Sequence, residues 1–135
     1  MKNIIEFENV TISYQGKELF KNVSWSIKEN SYTTLCGKNG CGKTSLMKAL
    51  LGLIPYEGTI TIDKEILTSK TRKEILSKIG VVFENPNTNL ICETVIDDFK
   101  ITLKNLGYSK QEIEKSIEEI SSELKIESLL SKLTT

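Results

Sequence analysis

At 135 residues the chain is one ordinary domain by length and can bury a real core. Its 18 basic and 18 acidic side chains cancel, which leaves no electrostatic footprint for nucleic acid or an anionic membrane surface. With no histidine there is no imidazole base, ligand or switch, and with no bilayer-length apolar run or leader before Ile4 the expectation is a soluble, cytoplasmic protein.

The first element predicted is a strand over residues 4–14. Its apolar alternation runs through Ile5 and Phe7, then slips one place to Val10, Ile12 and Tyr14. A bulge near Glu8-Asn9 accounts for the slip. Gln15-Gly16-Lys17 reads as a hairpin turn, and Val23, Trp25 and Ile27 then alternate with Ser24, Ser26 and Lys28. Tyr32 to Cys36 is a short β-prone run. It leads into Gly37-Lys38-Asn39-Gly40-Cys41-Gly42-Lys43-Thr44, which fits the phosphate-binding pattern G-x-x-x-x-G-K-[ST].

The chemistry of that pattern explains its residues. Gly37, Gly40 and Gly42 allow positive φ, so that several N–H groups can converge on one anion. Leu46, Met47, Leu50 and Leu51 fall at helical spacing after the loop, and a helix N-terminus there adds partial positive charge. Lys43 can bridge terminal phosphates, Ser45 continues the loop, and the Thr44 hydroxyl is a hard oxygen ligand suited to Mg²⁺. Cys41 reads either as a small residue that fits the loop or as an oxidation-sensitive thiol at a helix start. Together with Cys36 and Cys92 it makes an odd number without a C-x-x-C pair, as in reduced cytosolic proteins.

Beyond Pro55, Gly58 to Ile62 is predicted as a strand. Thr71-x-x-Glu74 is predicted as a capping box opening a short helix. Ile79-Gly-Val-Val-Phe83 is a continuous apolar run, as expected of a strand buried on both faces of a parallel sheet. The character then changes. Ile96, Phe99, Leu103 and Leu106 follow helical spacing up to Gly107. Ser109-x-x-Glu112 is a second capping box, and Ile113, Ile117, Ile120 and Leu124 continue a helical stripe among solvated Lys and Glu.

Four features taken in order go beyond a generic phosphate loop: Tyr14, the loop Gly37 to Leu46, Gly58-Thr-Ile60, and Ile79 to Pro86. Together they resemble the ATP-binding subunit of ABC transporters, across essentially the whole chain. Asn85-Pro-Asn-Thr-Asn-Leu-Ile91 followed by Glu93-Thr-Val95 is most similar to the energy-coupling-factor and cobalt-type branch, which energises uptake of vitamins and metal ions.

The resemblance implies an α/β P-loop NTPase half-domain: an antiparallel β subdomain with the loop strand and helix over 1–93, then a partial helical subdomain over 94–135. It implies ATP and Mg²⁺ as ligands, with Tyr14 stacking on adenine and Gly37 to Ser45 wrapping the β- and γ-phosphates. Glu84 stands where the family carries the Q-loop glutamine, a metal ligand with Thr44. Asp63-Lys64-Glu65 occupies a turn where the family usually has glycine. The implied partners are a membrane-spanning transporter subunit, met through the Q-loop and the helical segment, and a second ATPase subunit in a head-to-tail dimer.

The family's L-S-G-G-Q signature, its Walker B strand and Asp, its catalytic Glu and its switch His are not among these residues, and 126–135 resembles the stretch directly before the signature. The expectation is an incomplete domain with an open sheet edge. It should be marginal or self-associating, peripheral to the membrane, and able to bind nucleotide weakly without turning it over. A soluble ABC-type ATPase of DNA repair or translation, or a non-catalytic nucleotide-binding module, stays open at the level of sequence.

Overall fold

The computed structural model describes residues 2–14, 16–85 and 89–134, with Tyr14 by its backbone alone. Its packing divides the chain into two units, Met1–Gly80 and Val81–Thr135.

The first unit is built on an antiparallel sheet ordered β2-β1-β3-β4. Its strands are β1 (Asn3–Tyr14), β2 (Lys17–Lys28), β3 (Glu57–Ile62) and β4 (Glu65–Ile66). The predicted bulge is present: register shifts between Phe7 and Val10, where Asn9 takes φ 51°. The Ser24 hydroxyl accepts the Asn9 N–H at 2.8 Å, which satisfies a donor the bulge removes from the ladder. Lys17 pairs with Tyr14 across the predicted turn, of which Gln15 lies outside the described residues. Opposite one another on β1 and β2, Phe7 and Trp25 stack with ring centroids 4.8 Å apart.

Helix α1 (Lys43–Leu50) lays Leu46, Ala49 and Leu50 onto this sheet, and α2 (Arg72–Ser77) adds Ile75. They close a core with Phe7, Val10, Ile12, Ile60, Ile62 and Leu67. Burying one such aliphatic side chain contributes about 1.5–3 kcal/mol, so this cluster is what fixes α1, and hence the loop before it, against the sheet.

Two predicted strands do not form. Tyr32 to Cys36 and Ile79 to Phe83 join no ladder among the described residues, and Tyr32 and Val82 are fully or almost fully exposed. A parallel strand gains its hydrogen bonds only from parallel neighbours, and the sheet described here offers none. The first capping box is also absent. The Thr71 hydroxyl donates to the Ile66 carbonyl at 2.6 Å and accepts the Thr68 N–H at 3.0 Å, so it is not free to cap α2.

The β3–β4 hairpin turns on Asp63 (φ 46°) and Lys64 (φ 70°), with Ile62 paired to Glu65. Two successive left-handed residues make a type I′ geometry, which prefers glycine second. Lys64→Gly should therefore raise stability by about 1 kcal/mol and the melting midpoint by several degrees, read by thermal unfolding. An unchanged midpoint would contradict this.

The second unit pairs α3 (Val95–Asn105) with α4 (Lys110–Leu124), followed by a 3₁₀ turn at Glu127–Leu129. The second capping box forms as predicted. Ser109 Oγ accepts the Glu112 N–H, and the Glu112 carboxylate accepts the Ser109 N–H at 2.8 Å. The Ser109 side chain and backbone N–H, both hydrogen-bonding toward the Glu112 carboxylate, hold that carboxyl below its usual range. Ile113 and Ile117 are buried, joined by Ser121, while Ile120 and Leu124 at the outer end of the predicted stripe stay exposed.

Candidate functional site

The loop from Gly37 to Gly42 is held at both ends by different means. After it, the Leu46 N–H donates to the Gly42 carbonyl at 2.9 Å and opens α1, whose apolar face is anchored in the core. Within it, the Cys41 N–H donates to the Lys38 carbonyl at 3.3 Å, across the turn at Asn39-Gly40. Gly40 (φ 77°) and Gly42 (φ 100°) both take the left-handed conformation that the motif requires. A methyl on Gly42 would also meet the Phe20 ring at 2.7 Å and Leu19 Cβ at 3.4 Å. Strand β2 thus supports the base of the loop, a long-range contact that no local pattern announces.

The Lys43 ammonium curls back over the loop, donating to the carbonyls of Gly37 at 2.9 Å and Lys38 at 3.0 Å. Cys41 is exposed, and its sulfur packs against Gly37, where an added methyl would meet it at 2.7 Å. Only a small residue pairs well with another there, so the packing role read for Cys41 has a direct structural basis.

Helix α1 carries no acidic residue in its first turn, so nothing there competes for an incoming anion. By helix geometry its first N–H groups lack intrahelical partners and point back toward the loop. Thr44 is exposed on that turn, and Ser45 is half-buried. The donor set fits a triphosphate with its metal: convergent N–H groups, one ammonium and one hard neutral hydroxyl. Among the described residues no cluster of three or more Cys, Asp or Glu is placed to hold a metal ion without such a ligand.

Lys38, Asn39, Gly40, Cys41, Gly42, Lys43, Thr44 and Ser45 are thus brought together with Gly37 in one segment. Tyr14 ends β1, with its side chain outside the described residues. Glu84 is exposed and belongs to the second unit. Pro86, Asn87 and Thr88, part of the run that marks the branch resemblance, lie outside the described residues. Among the described residues no helix is long and apolar enough to cross a membrane.

Residues 20–135 match the protein family described as ABC transporter. The energy-coupling factor transporter ATP-binding protein EcfA of Pediococcus pentosaceus is 37% identical over 131 residues, covering 94% of this chain and 47% of that protein. EcfA1 of Fusobacterium nucleatum is 39% identical over 117 residues, covering 85% of this chain and 44% of its own length. Among solved structures, cbiO1 from Clostridium perfringens, described as part of the ABC transporter complex cbiONQ, aligns with a TM-score of 0.83 at 26% identity. That alignment covers 99% of this chain and 55% of the other. The chain spans about half the length of these relatives. With its antiparallel sheet, glycine loop and flanking helices, the chain belongs to the ABC transporter family.

Proposed function

We propose that this chain is the nucleotide-binding part of a transporter ATPase of the energy-coupling-factor or cobalt type, and that Gly37 to Ser45 bind ATP with Mg²⁺. The observation that carries the reading is the loop itself. Gly40 and Gly42 are left-handed, α1 begins at its end without an acidic first turn, and the Lys43 ammonium is held across it.

The residues divide the work by chemistry. Lys43 exchanges its two carbonyl partners for terminal phosphate oxygens, a trade of neutral acceptors for charged ones. The first-turn N–H groups of α1 donate to the same phosphates. Thr44 supplies a hydroxyl ligand to Mg²⁺, and bound Mg²⁺ would offset the negative charge that the phosphates bring into the loop. Tyr14 offers an aromatic face to adenine. Glu84 is a second metal ligand.

ATP binding would close a head-to-tail pair of such subunits. The loop after Glu84 and the helical segment 94–135 would meet a membrane-spanning subunit, placing the protein at the cytoplasmic face of a membrane. Residues 1–93 act as the nucleotide-binding part. Tyr32, Leu35 and Val82 leave apolar surface open to self-association. Binding without turnover is the activity expected of these 135 residues, because the signature, the Walker B Asp, the catalytic Glu and the switch His are not among them.

Glu84 gives the reading a specific test. A carboxylate binds Mg²⁺ more strongly than an amide does, and without metal it repels phosphate. A like-charge pair about 4 Å apart in a fully hydrated setting is worth about 1 kcal/mol, so removing Mg²⁺ should weaken nucleotide binding at least roughly fivefold more in the wild type than in Glu84→Gln. Calorimetric titration of both proteins with and without Mg²⁺ measures this. Equal Mg²⁺ dependence would remove Glu84 from the site.

A further inference from the structure

Within the second unit, residues 91–96 and 130–134 run side by side, joined by more than a chance contact. The Ile91 and Cys92 N–H groups both donate to Asp98 Oδ1, at 2.8 and 3.2 Å. From the other segment, the Thr134 hydroxyl donates to the Cys92 carbonyl at 2.7 Å, and the Thr134 N–H donates to the Glu93 carbonyl at 2.9 Å. Thr94 and Leu133 form an antiparallel bridge. The Val95 and Ile96 N–H groups then donate to the carbonyls of Lys132 at 3.2 Å and Leu130 at 2.9 Å.

Those last two bonds are informative. The first N–H groups of a helix have no intrahelical partner and usually take a side chain, water or a ligand. In α3 they are taken by backbone from far along the chain, and the next one, of Asp97, is taken by the Thr94 hydroxyl at 3.3 Å. This helix end is therefore closed to anions, unlike that of α1. The Cys92 peptide is held on both sides, its N–H by Asp98 and its carbonyl by Thr134.

We infer that Thr134 is a positioning residue that locks residues 91–96 to residues 130–134, with Asp98 fastening Ile91 and Cys92 to α3, so that the two segments move as one. The inference goes beyond the nucleotide reading and uses no residue of the phosphate loop. It would stand if that loop bound nothing. Each neutral hydrogen bond contributes only about 1 kcal/mol net, but the four that join the segments, with the two that Asp98 accepts, give the pair one shape in place of several.

Cys92 is a built-in reporter. Its thiol is half-buried, and its pKa is raised by that burial and by the Asp98 and Asp97 carboxylates, which keeps it slow to alkylate at neutral pH. In a Cys36→Ser, Cys41→Ser background, iodoacetamide labelling then reads Cys92 alone, and amide exchange reads the bonds. Thr134→Val removes the hydroxyl with little change of shape. It should speed Cys92 labelling several-fold and hasten exchange at Ile91, Cys92, Val95 and Ile96, with Ile113 and Ile117 in α4 exchanging as in the wild type. Thr134→Ser restores the hydroxyl and should label as slowly as the wild type.

If Thr134→Val loosens α4 as well, the Thr134→Ser protein decides, and slow labelling there upholds the lock. Wild-type labelling and exchange in Thr134→Val, or a Thr134→Ser protein as reactive as Thr134→Val, would overturn it.

Discussion

Gly58→Ala is expected to be the most damaging single methyl that can be added to the first unit. Gly58 sits in β3 at φ 88°, directly against the β1 bulge. An added Cβ would collide with the Asn9 carbonyl oxygen and lie 2.6 Å from that of Glu8. Both obstacles are backbone, so no side chain can swing aside. Relief would require moving the bulge, and with it the register that sends Phe7 inward on one side of the bulge and Val10 and Ile12 on the other. Backbone overlap and the left-handed φ together should cost about 3 kcal/mol or more. In a unit of this size that lowers the melting midpoint by roughly 15 °C. Gly80→Ala is the matched control, because nothing lies within 4 Å of a Cβ there and its φ is not left-handed. Equal midpoints for the two variants would show that the bulge yields easily.

Lys43→Ala should produce the largest loss at the candidate site while leaving the fold intact. In the ligand-free loop the ammonium bonds only to the carbonyls of Gly37 and Lys38, both solvent-accessible and able to bond water in its place. With nucleotide bound, the same group would donate to charged oxygens, where a hydrogen bond is worth about 1.5–3 kcal/mol. The expected result is a nucleotide Kd weakened by roughly 10- to 100-fold with a melting midpoint within about 2 °C of the wild type. Unaltered affinity would show that the phosphates bind elsewhere. A collapsed midpoint would show that Lys43 has a structural role that its two carbonyl contacts do not explain.

The two positions teach different things about what a sequence carries. The glycine loop, the helix after it, the β1 bulge and the Ser109–Glu112 cap were all legible, because each depends on residues within a few positions of one another. The bulge follows from a one-place slip in alternation, and the cap follows from a hydroxyl with no competing partner. Thr71 had the same spacing and failed as a cap because two nearby groups the box pattern does not weigh, the Ile66 carbonyl and the Thr68 N–H, hold its hydroxyl first.

The runs Tyr32 to Cys36 and Ile79 to Phe83 failed for a related reason. The β-prone residues of the first and the continuous apolar run of the second need a neighbouring strand to pair with, and neither finds one in the described sheet. Phe20 and Leu19 beneath Gly42, and the Thr134 clasp on Cys92, are contacts between distant positions with no periodic or motif signature. Lys64 at φ 70° was equally hidden, since lysine is not a residue that announces a left-handed turn. What was legible in the site was its chemistry; what supports it had to be seen.

The central claim is that residues Gly37 to Ser45 receive the phosphates of a nucleotide. Titrating the isotopically labelled chain with Mg²⁺-ATP and following its backbone amides by NMR tests that claim residue by residue. The expected result is saturable shifts concentrated at Gly40, Gly42, Lys43, Thr44 and Ser45, abolished at the same concentrations in Lys43→Ala. Shifts centred on other segments, or an identical response in the variant, would contradict it.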